Sequence, residues 1–245
     1  MTSSGTSSGS GDDGGNSEPG EGGTAGCGTA VFCDGFEGSA TLDSNWTPDA
    51  NNPAGNTVKV VTTMAHSGTN SVELSLAAKS GATFIDEKMG FPIAGGDQWG
   101  RVWLYVNTPT DNGHDVYIEA STGMATMNNG VRPLNTEGGT MATNVDPQSA
   151  AGGEATGNSG TALPKMAWTC FEWHIGLTGM MGSLELYVGG TALAKTAVTF
   201  TSQGNAAVGS LVETRIGYEN YNGAATASTI YVDDFAIGTA QIGCM

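Results

Sequence analysis

The chain has 245 residues, with 24 Asp and Glu against 8 Lys and Arg, for a formal net charge of −16 at neutral pH. A surface this acidic excludes nucleic acid, which needs clustered Lys and Arg to release counterions, and it disfavours an anionic membrane for the same reason. Compatible partners are neutral glycans, anionic glycans gripped by a few local Arg or Lys, and Ca²⁺, a hard cation that takes oxygen ligands.

From Met1 to Gly26 the chain is mostly Gly, Ser, Thr, Asp and Glu, with no Lys, Arg or aromatic residue. Such a segment cannot bury enough apolar surface to offset its ordering entropy, which predicts a disordered acidic linker over residues 1–26. Residues 27–245 then form one folded domain of about 220 residues, a size that all-β sandwiches reach as single domains. The opening residues read as a mature segment from which an export signal, or a lipoprotein anchor Cys, has been cut. The expected location is therefore extracellular or at the cell surface, with the linker as a tether. Cys27, Cys33, Cys170 and Cys244 form no CxxC pair, and the three histidines are not spaced for a zinc site. An even count at the two ends and the middle of the domain predicts two disulfides in an oxidising compartment, with three connectivities open.

In chain order, the signals have period two. Val72, Leu74 and Leu76 alternate with polar residues; Val102, Leu104 and Val106 alternate with Arg101, Trp103 and Tyr105; Val116 and Ile118 alternate with Asp115, Tyr117 and Glu119. Residues 122–164 are rich in Gly, Thr, Asn and Ala, which predicts two weak strands, Gly130 to Asn135 and Thr140 to Val145, and a loop from Asp146 to Ser159. Phe171, Trp173 and Ile175 then alternate with Glu172 and His174, and Leu184, Leu186 and Val188 with Glu185 and Tyr187. A last pattern sets Val212 and Ile216 against Glu213, Arg215 and Glu219. Gly pairs punctuate these strands, and no amphipathic helix of useful length occurs, so the expected fold is all-β: a two-sheet antiparallel β-sandwich of jelly-roll type.

The polar faces of these strands are rich in Trp, Tyr, carboxylates and Arg, where an ordinary solvated face shows Lys, Thr and Ser. If the strands share one curved sheet, the face is a carbohydrate groove, because aromatic rings stack on sugars while carboxylates and Arg bind hydroxyls and uronates. Trp103, Tyr105, Glu119, Glu172 and Glu185 are the expected substrate-binding residues. A lyase acting on an uronic-acid polymer would use Arg101 or Arg215 to neutralise the carboxylate, His174 as base, and Tyr117 or Tyr187 as acid. Retaining glycoside hydrolysis needs two carboxylates about 5 Å apart; Glu213 and Glu219 are not close in sequence, which leaves Glu172 with Glu185 for that chemistry. A non-catalytic lectin domain and a structural surface domain are the alternatives.

Three segments in order also resemble a known family: Phe36-Glu37-Gly38, then the run from Ala65 to Val72, then the last strand from Ile230 to Phe235. Together with the run from Trp168 to His174 and the run from Leu184 to Gly190, they are similar to the calcium-bearing, concanavalin-like jelly rolls of the cellulose-induced protein family and the related glucuronan and alginate lyases. The resemblance spans roughly residues 31 to 244 and implies a monomer that acts on polysaccharide. It implies a structural Ca²⁺ held by Glu37, Ser67, Asn70 and Asp233, with Asp234 as the alternative if the strand phase is shifted by one. It also implies a Cys170–Cys244 disulfide, leaving Cys27 with Cys33. The lyases' Gln-x-His strand and Tyr-Lys-x-Gly-x-Tyr pattern have no match here, so the resemblance leaves open whether the chain is an enzyme.

Overall fold

The computed structural model describes residues 27–28, 30–49, 52–78, 81–91, 97–108, 113–121, 130–146, 153–203, 207–221 and 226–244; the expected linker over 1–26 lies outside them. The strands are β1 (Ala30–Asp34), β2 (Trp46–Pro48), β3 (Thr57–Val61), β4 (Ser71–Leu76), β5 (Ala82–Glu87), β6 (Gln98–Asn107), β7 (His114–Ser121) and β8 (Gly130–Glu137). They continue as β9 (Thr140–Asp146), β10 (Ala155–Ala162), β11 (Trp168–Thr178), β12 (Met181–Val188), β13 (Thr191–Ala192), β14 (Val198–Thr201), β15 (Glu213–Asn220) and β16 (Ser228–Gly238). Two antiparallel sheets result. The first runs β13-β12-β11-β6-β16-β4-β3, with β1 also on β16 and β14 on β12; the second runs β10-β9-β8-β7-β15-β5-β2. Among the described residues the helical content is one 3₁₀ turn, Val208–Ser210, and no helix is long and apolar enough to cross a membrane.

The period-two patterns become the two inner faces. Val102, Leu104 and Val106 of β6, Phe171, Trp173 and Ile175 of β11, and Leu184 and Leu186 of β12 are buried against Ile85, Ile118, Leu134, Val145 and Ile216 of the second sheet. Packing is close at Trp173, whose indole N–H donates to Gln98 at 3.0 Å. A Cβ on Gly100 would lie 1.9 Å from its ring, so only glycine fits beneath it.

The structure corrects three expectations. The expected loop from Asp146 to Ser159 gives way in part to β10, which pairs with β9 from Ala155↔Val145 onward. An edge strand built of Thr, Gly, Asn and Ser carries no hydrophobic alternation to reveal it. Tyr117 is not on an outer face: the β7–β8 register shifts between Val116 and Ile118, and the extra residue turns the phenol into the core, where it is fully buried. Val212, expected in the core, precedes β15 and is 42% exposed.

Both disulfides are present, Cys27–Cys33 and Cys170–Cys244. The second ties β11 to the end of the chain across 74 residues. A loop of that length predicts a contribution of about 4 kcal/mol in the chain-entropy account. Replacing both Cys170 and Cys244 by Ser should lower the denaturant midpoint by a corresponding amount, and equilibrium unfolding followed by Trp fluorescence measures it.

Candidate functional site

The residues expected on one face are divided between two. Arg101, Trp103, Tyr105, Glu172, His174, Glu185 and Tyr187 lie on the outer face of the first sheet, with β6 beside β11 and β11 beside β12. Glu119, Glu213, Arg215 and Glu219 lie on the outer face of the second sheet, on β7 and β15. The whole core separates the two groups, so they cannot meet one substrate together.

On the first sheet, the middle of the outer face is covered. Arg101 donates to the carbonyls of Asp234 and Gly243, at 3.2 Å each, and is 2% exposed. Glu172, its cross-strand partner, is fully buried and accepts the Gly243 N–H at 2.7 Å. The C-terminal segment, pinned by Cys170–Cys244, therefore lies over both side chains, which withdraws Arg101 and Glu172 from any exposed groove. His174 and Glu185 are neighbours. The imidazole stacks on Trp99 at 4.5 Å and contacts Asp97 at 2.9 Å, while Tyr187 donates to Glu185 at 2.7 Å. Burial, and then the Glu185 carboxylate, push the Tyr187 phenol up to about 12, so it holds its proton firmly.

The residues expected to hold a cation come together on one loop. In β16 the register against β6 shifts between Asp233 and Ala236, and Asp234 has φ 46°. That bulge falls where β4 stops pairing with β16, at Val72↔Val232, and β1 begins, at Asp34↔Phe235. Asp233 Oδ2 accepts the N–H groups of His66 and Ser67 at 2.8 and 3.2 Å, and its Oδ1 accepts the Asp234 N–H at 2.8 Å. Glu37 Oε1 accepts the N–H groups of Thr69 and Asn70 at 2.9 and 2.8 Å, while Oε2 takes the Thr69 hydroxyl at 2.7 Å. Asn70 in turn donates to the Phe36 carbonyl at 3.2 Å. Each carboxylate offers about four lone-pair sites, so three donors leave each with one. Asp234 instead takes His66 Nδ1 at 2.6 Å and the Ser67 hydroxyl at 2.8 Å. Among the described residues no three His, Cys, Asp or Glu side chains are grouped to hold a metal, so a cation here needs amide and backbone oxygens as well.

The outer face of the second sheet carries a network of buried charged side chains. Arg215 is 6% exposed; it is bonded to Asp49, contacts Glu119 at 3.4 Å and Asp86 at 3.6 Å, and lies 4.6 Å above the Phe84 ring. Burial pushes the carboxyls of Asp86 and Glu119 up to about 7, against the pull of Arg215. Next to this network, Arg132 of β8 is 2% exposed and donates to Asn144 of β9 at 2.6 Å, which bonds Glu154 in turn. The Arg132 guanidinium lies 5.9 Å from the ring centre of Tyr221, the residue after β15. The His114 imidazole lies 5.0 Å from the same ring, and its Nε2 is 3.2 Å from Asn135 Nδ2. Burial first, and then Arg132, hold His114 below the ordinary histidine range, so it is neutral near pH 7; burial holds Tyr221 well above the ordinary phenol range. Arg132, Asn135, His114 and Tyr221 thus bring a cation, an amide, a neutral imidazole and a protonated phenol together on β7, β8 and the end of β15.

Residues 35–240 match the model of the Cip1-like core domain of the polysaccharide lyase-like family. The chain belongs to this family. Among solved structures it is similar to the cellulose induced protein Cip1, at 22% identity and a TM-score of 0.65 over 87% of this chain and 100% of that one. It is also similar to the endo-β-1,4-glucuronan lyase of the fungus Trichoderma reesei, at 12% identity and a TM-score of 0.66 over 88% and 98% of the two chains. A carbohydrate esterase of the Shiga toxin-encoding bacteriophage phi24B shares 12% identity at a TM-score of 0.53, over 85% and 97%. No curated protein matches the sequence significantly. At these identities the likeness to the solved structures shows the fold, the sandwich described above.

His114, Arg132, Asn135, Asn144 and Tyr221 of this Cip1-like domain were not among the residues expected from sequence. Bulges on both sides of the β7–β8 pairing break the alternation that would have placed them on a polar face. One signal was available: the chain has only three Arg, and the structure buries all three.

Burial also raises Glu87 and Asp233 to about 7, like Asp86 and Glu119. The folded state therefore keeps protons that the unfolded chain, with carboxyls near their ordinary value of about 4, releases. These four groups contribute stability that is full below that value and is lost as pH rises toward 7. The thermal midpoint of the metal-free protein should be higher at about pH 5 than at about pH 8; a midpoint that rises across this interval would contradict the assignment.

Proposed function

We propose that this Cip1-like domain acts on an extracellular polysaccharide through the outer face of the second sheet, and that the chemistry is β-elimination at a uronic acid. The observation that carries this reading is the convergence of Arg132, Asn135 and His114 on the Tyr221 side of that face. Two buried atoms there, Arg132 Nε and Glu219 Oε2, meet no hydrogen-bond partner among the described residues, and a polar ligand satisfies such atoms. Both disulfides fit an oxidising, extracellular setting.

In this reading Arg132 and the Asn135 amide neutralise the uronate carboxylate, which acidifies the proton on the adjacent carbon. Turning the Asn135 amide over gives its buried oxygen the imidazole N–H as a donor and leaves the Nδ1 lone pair of His114 to take that proton. Tyr221 gives its phenolic proton to the bridging oxygen as the C–O bond breaks and the C=C bond forms. A neutral imidazole and a firmly protonated phenol are the states this exchange requires. With a panel of uronic-acid polymers, ultraviolet absorbance of the conjugated product should grow for the wild type. His114→Ala and Tyr221→Phe should each lower turnover by about a hundredfold or more, while binding persists. Binding without absorbance on every polymer would leave the second reading, a carbohydrate-binding domain that does not cleave, which the missing lyase motifs favour. Because Asp86 and Glu119 gain protons as pH falls, an anionic chain should bind more tightly at about pH 5 than at about pH 8; affinity that is flat in pH would count against contact with this face.

We further propose a structural Ca²⁺ at the loop 66–70, held by the lone pairs that Glu37 and Asp233 keep free, the Asn70 side chain and the Ser67 main-chain oxygen. All are the hard oxygen donors that Ca²⁺ takes, and the ion would relieve the repulsion between Asp233 and its neighbour Asp234. Adding Ca²⁺ at about a hundred times its dissociation constant should stabilise the fold by about 2.7 kcal/mol, and EDTA should reverse it. A melting curve indifferent to both, alongside an unchanged Asp233→Asn variant, would refute the site.

A further inference from the structure

The outer face of the first sheet carries a second feature that the proposed chemistry does not use. Trp168 of β11, Tyr105 of β6 and Tyr231 of β16 are direct cross-strand partners, with successive ring centres 5.9 Å apart. The row continues onto Glu73 of β4 and Lys59 of β3, again as direct partners. Glu73 pairs with Lys59 at 2.9 Å and is hydrogen-bonded to the Tyr231 phenol. Five adjacent strands thus present Trp, Tyr, Tyr, Glu and Lys in one line across the sheet, and the three rings are all partly exposed. Beside them Met166, 60% exposed, meets the Tyr105 hydroxyl at 3.9 Å.

We infer that this row is a separate binding surface for a neutral polysaccharide, laid across the strands. Pyranose rings have apolar C–H faces that stack on aromatic rings, and the hydroxyls at their edges hydrogen-bond to phenols and to an ion pair at the end of the row. The ring centres are 5.9 Å apart and their planes are tilted 65° and 77° to one another, so the row offers separate faces and edges to consecutive sugars rather than one flat face to a single sugar. The local charge decides the class of glycan: Lys59 and Glu73 cancel each other and no further Arg or Lys lies in the row, so this surface, unlike the Arg132 face, has no cation to grip a uronate. The bond from Tyr231 to Glu73 and the packing of Tyr105 between two rings fix the row before a ligand arrives, which reduces the ordering cost of binding. The surface lies on the opposite side of the core from His114 and Tyr221, so the domain would hold one glycan while working on another.

Native gel electrophoresis through hydroxyethyl cellulose, glucomannan, xylan or polygalacturonate tests this. The wild type should be retarded in at least one neutral gel. Trp168→Ala and Tyr105→Ala should each weaken that retardation by about tenfold, while His114→Ala, on the other face, retains it. Tyr231→Leu, which keeps an apolar side chain on the face, replaces any Ala variant whose melting curve shows it unfolded. No retardation in any neutral gel, or Ala variants that migrate as the wild type does, would overturn the surface. So would a wild-type dimer that Trp168→Ala dissociates in sedimentation, since a second copy would then be the occupant. Loss of elimination activity in His114→Ala with neutral-glycan binding intact would separate this surface from the proposed catalytic one.

Discussion

The position of the last strand constrains everything else in this domain. β16 runs through the middle of the first sheet, with β6 along one side and β4 followed by β1 along the other. The sheet cannot close until the C-terminal part of the chain arrives. The bulge at Asp233 and Asp234 marks the seam where the two short strands meet beside it. There one buried carboxylate takes three backbone N–H groups, two of them from a loop more than 160 residues away in sequence. A carboxylate in this role also carries the cost of burial and of a like-charged neighbour, so the same seam is where a cation would be most effective.

The two outer faces have different physics because they are closed differently. On the first sheet, the C-terminal segment follows β16 back over Arg101 and Glu172, and the disulfide to Cys170 holds it there. The aromatics to either side stay partly exposed and held in place: Trp99 by His174, Tyr231 by Glu73. On the second sheet, two guanidiniums are set among a larger number of carboxylates with little solvent to screen them. Burial there raises acids and lowers a histidine, which is how a site holds proton donors and acceptors ready near neutral pH. Fixed stacking surfaces suit binding, and shifted ionisation suits proton transfer. The separation of the two by the core makes it possible for one small sandwich to do both.

Membership of the Cip1-like family accounts for the sandwich, and its individual side chains account for the distinctions within it. The carbohydrate reading does not rest on the fold, which many unrelated chemistries share. It rests on where Arg132, Asn135, His114 and Tyr221 converge and on the unsatisfied polar atoms among them.

The sequence by itself determined the class of fold, because a period of two with one apolar phase forces a half-buried strand wherever it occurs. It also set the expectations from composition, since net charge and a shortage of Lys and Arg are properties of the chain rather than of its folding. Short local motifs singled out Glu37, Ser67, Asn70 and Asp233, and the structure bonds the carboxylates of Glu37 and Asp233 to the loop that carries Ser67 and Asn70. Only the tertiary structure decided which strands share a sheet: alternation records that a residue faces outward, but not on which of two layers, and so Arg101 and Arg215 looked like neighbours. Only the structure revealed the bulges as well. A bulge in β7 moved Tyr117 into the core, and a second one in β8 set Arg132 on the same face as Asn135, because each side chain's face depends on the pairing of the strand beside it.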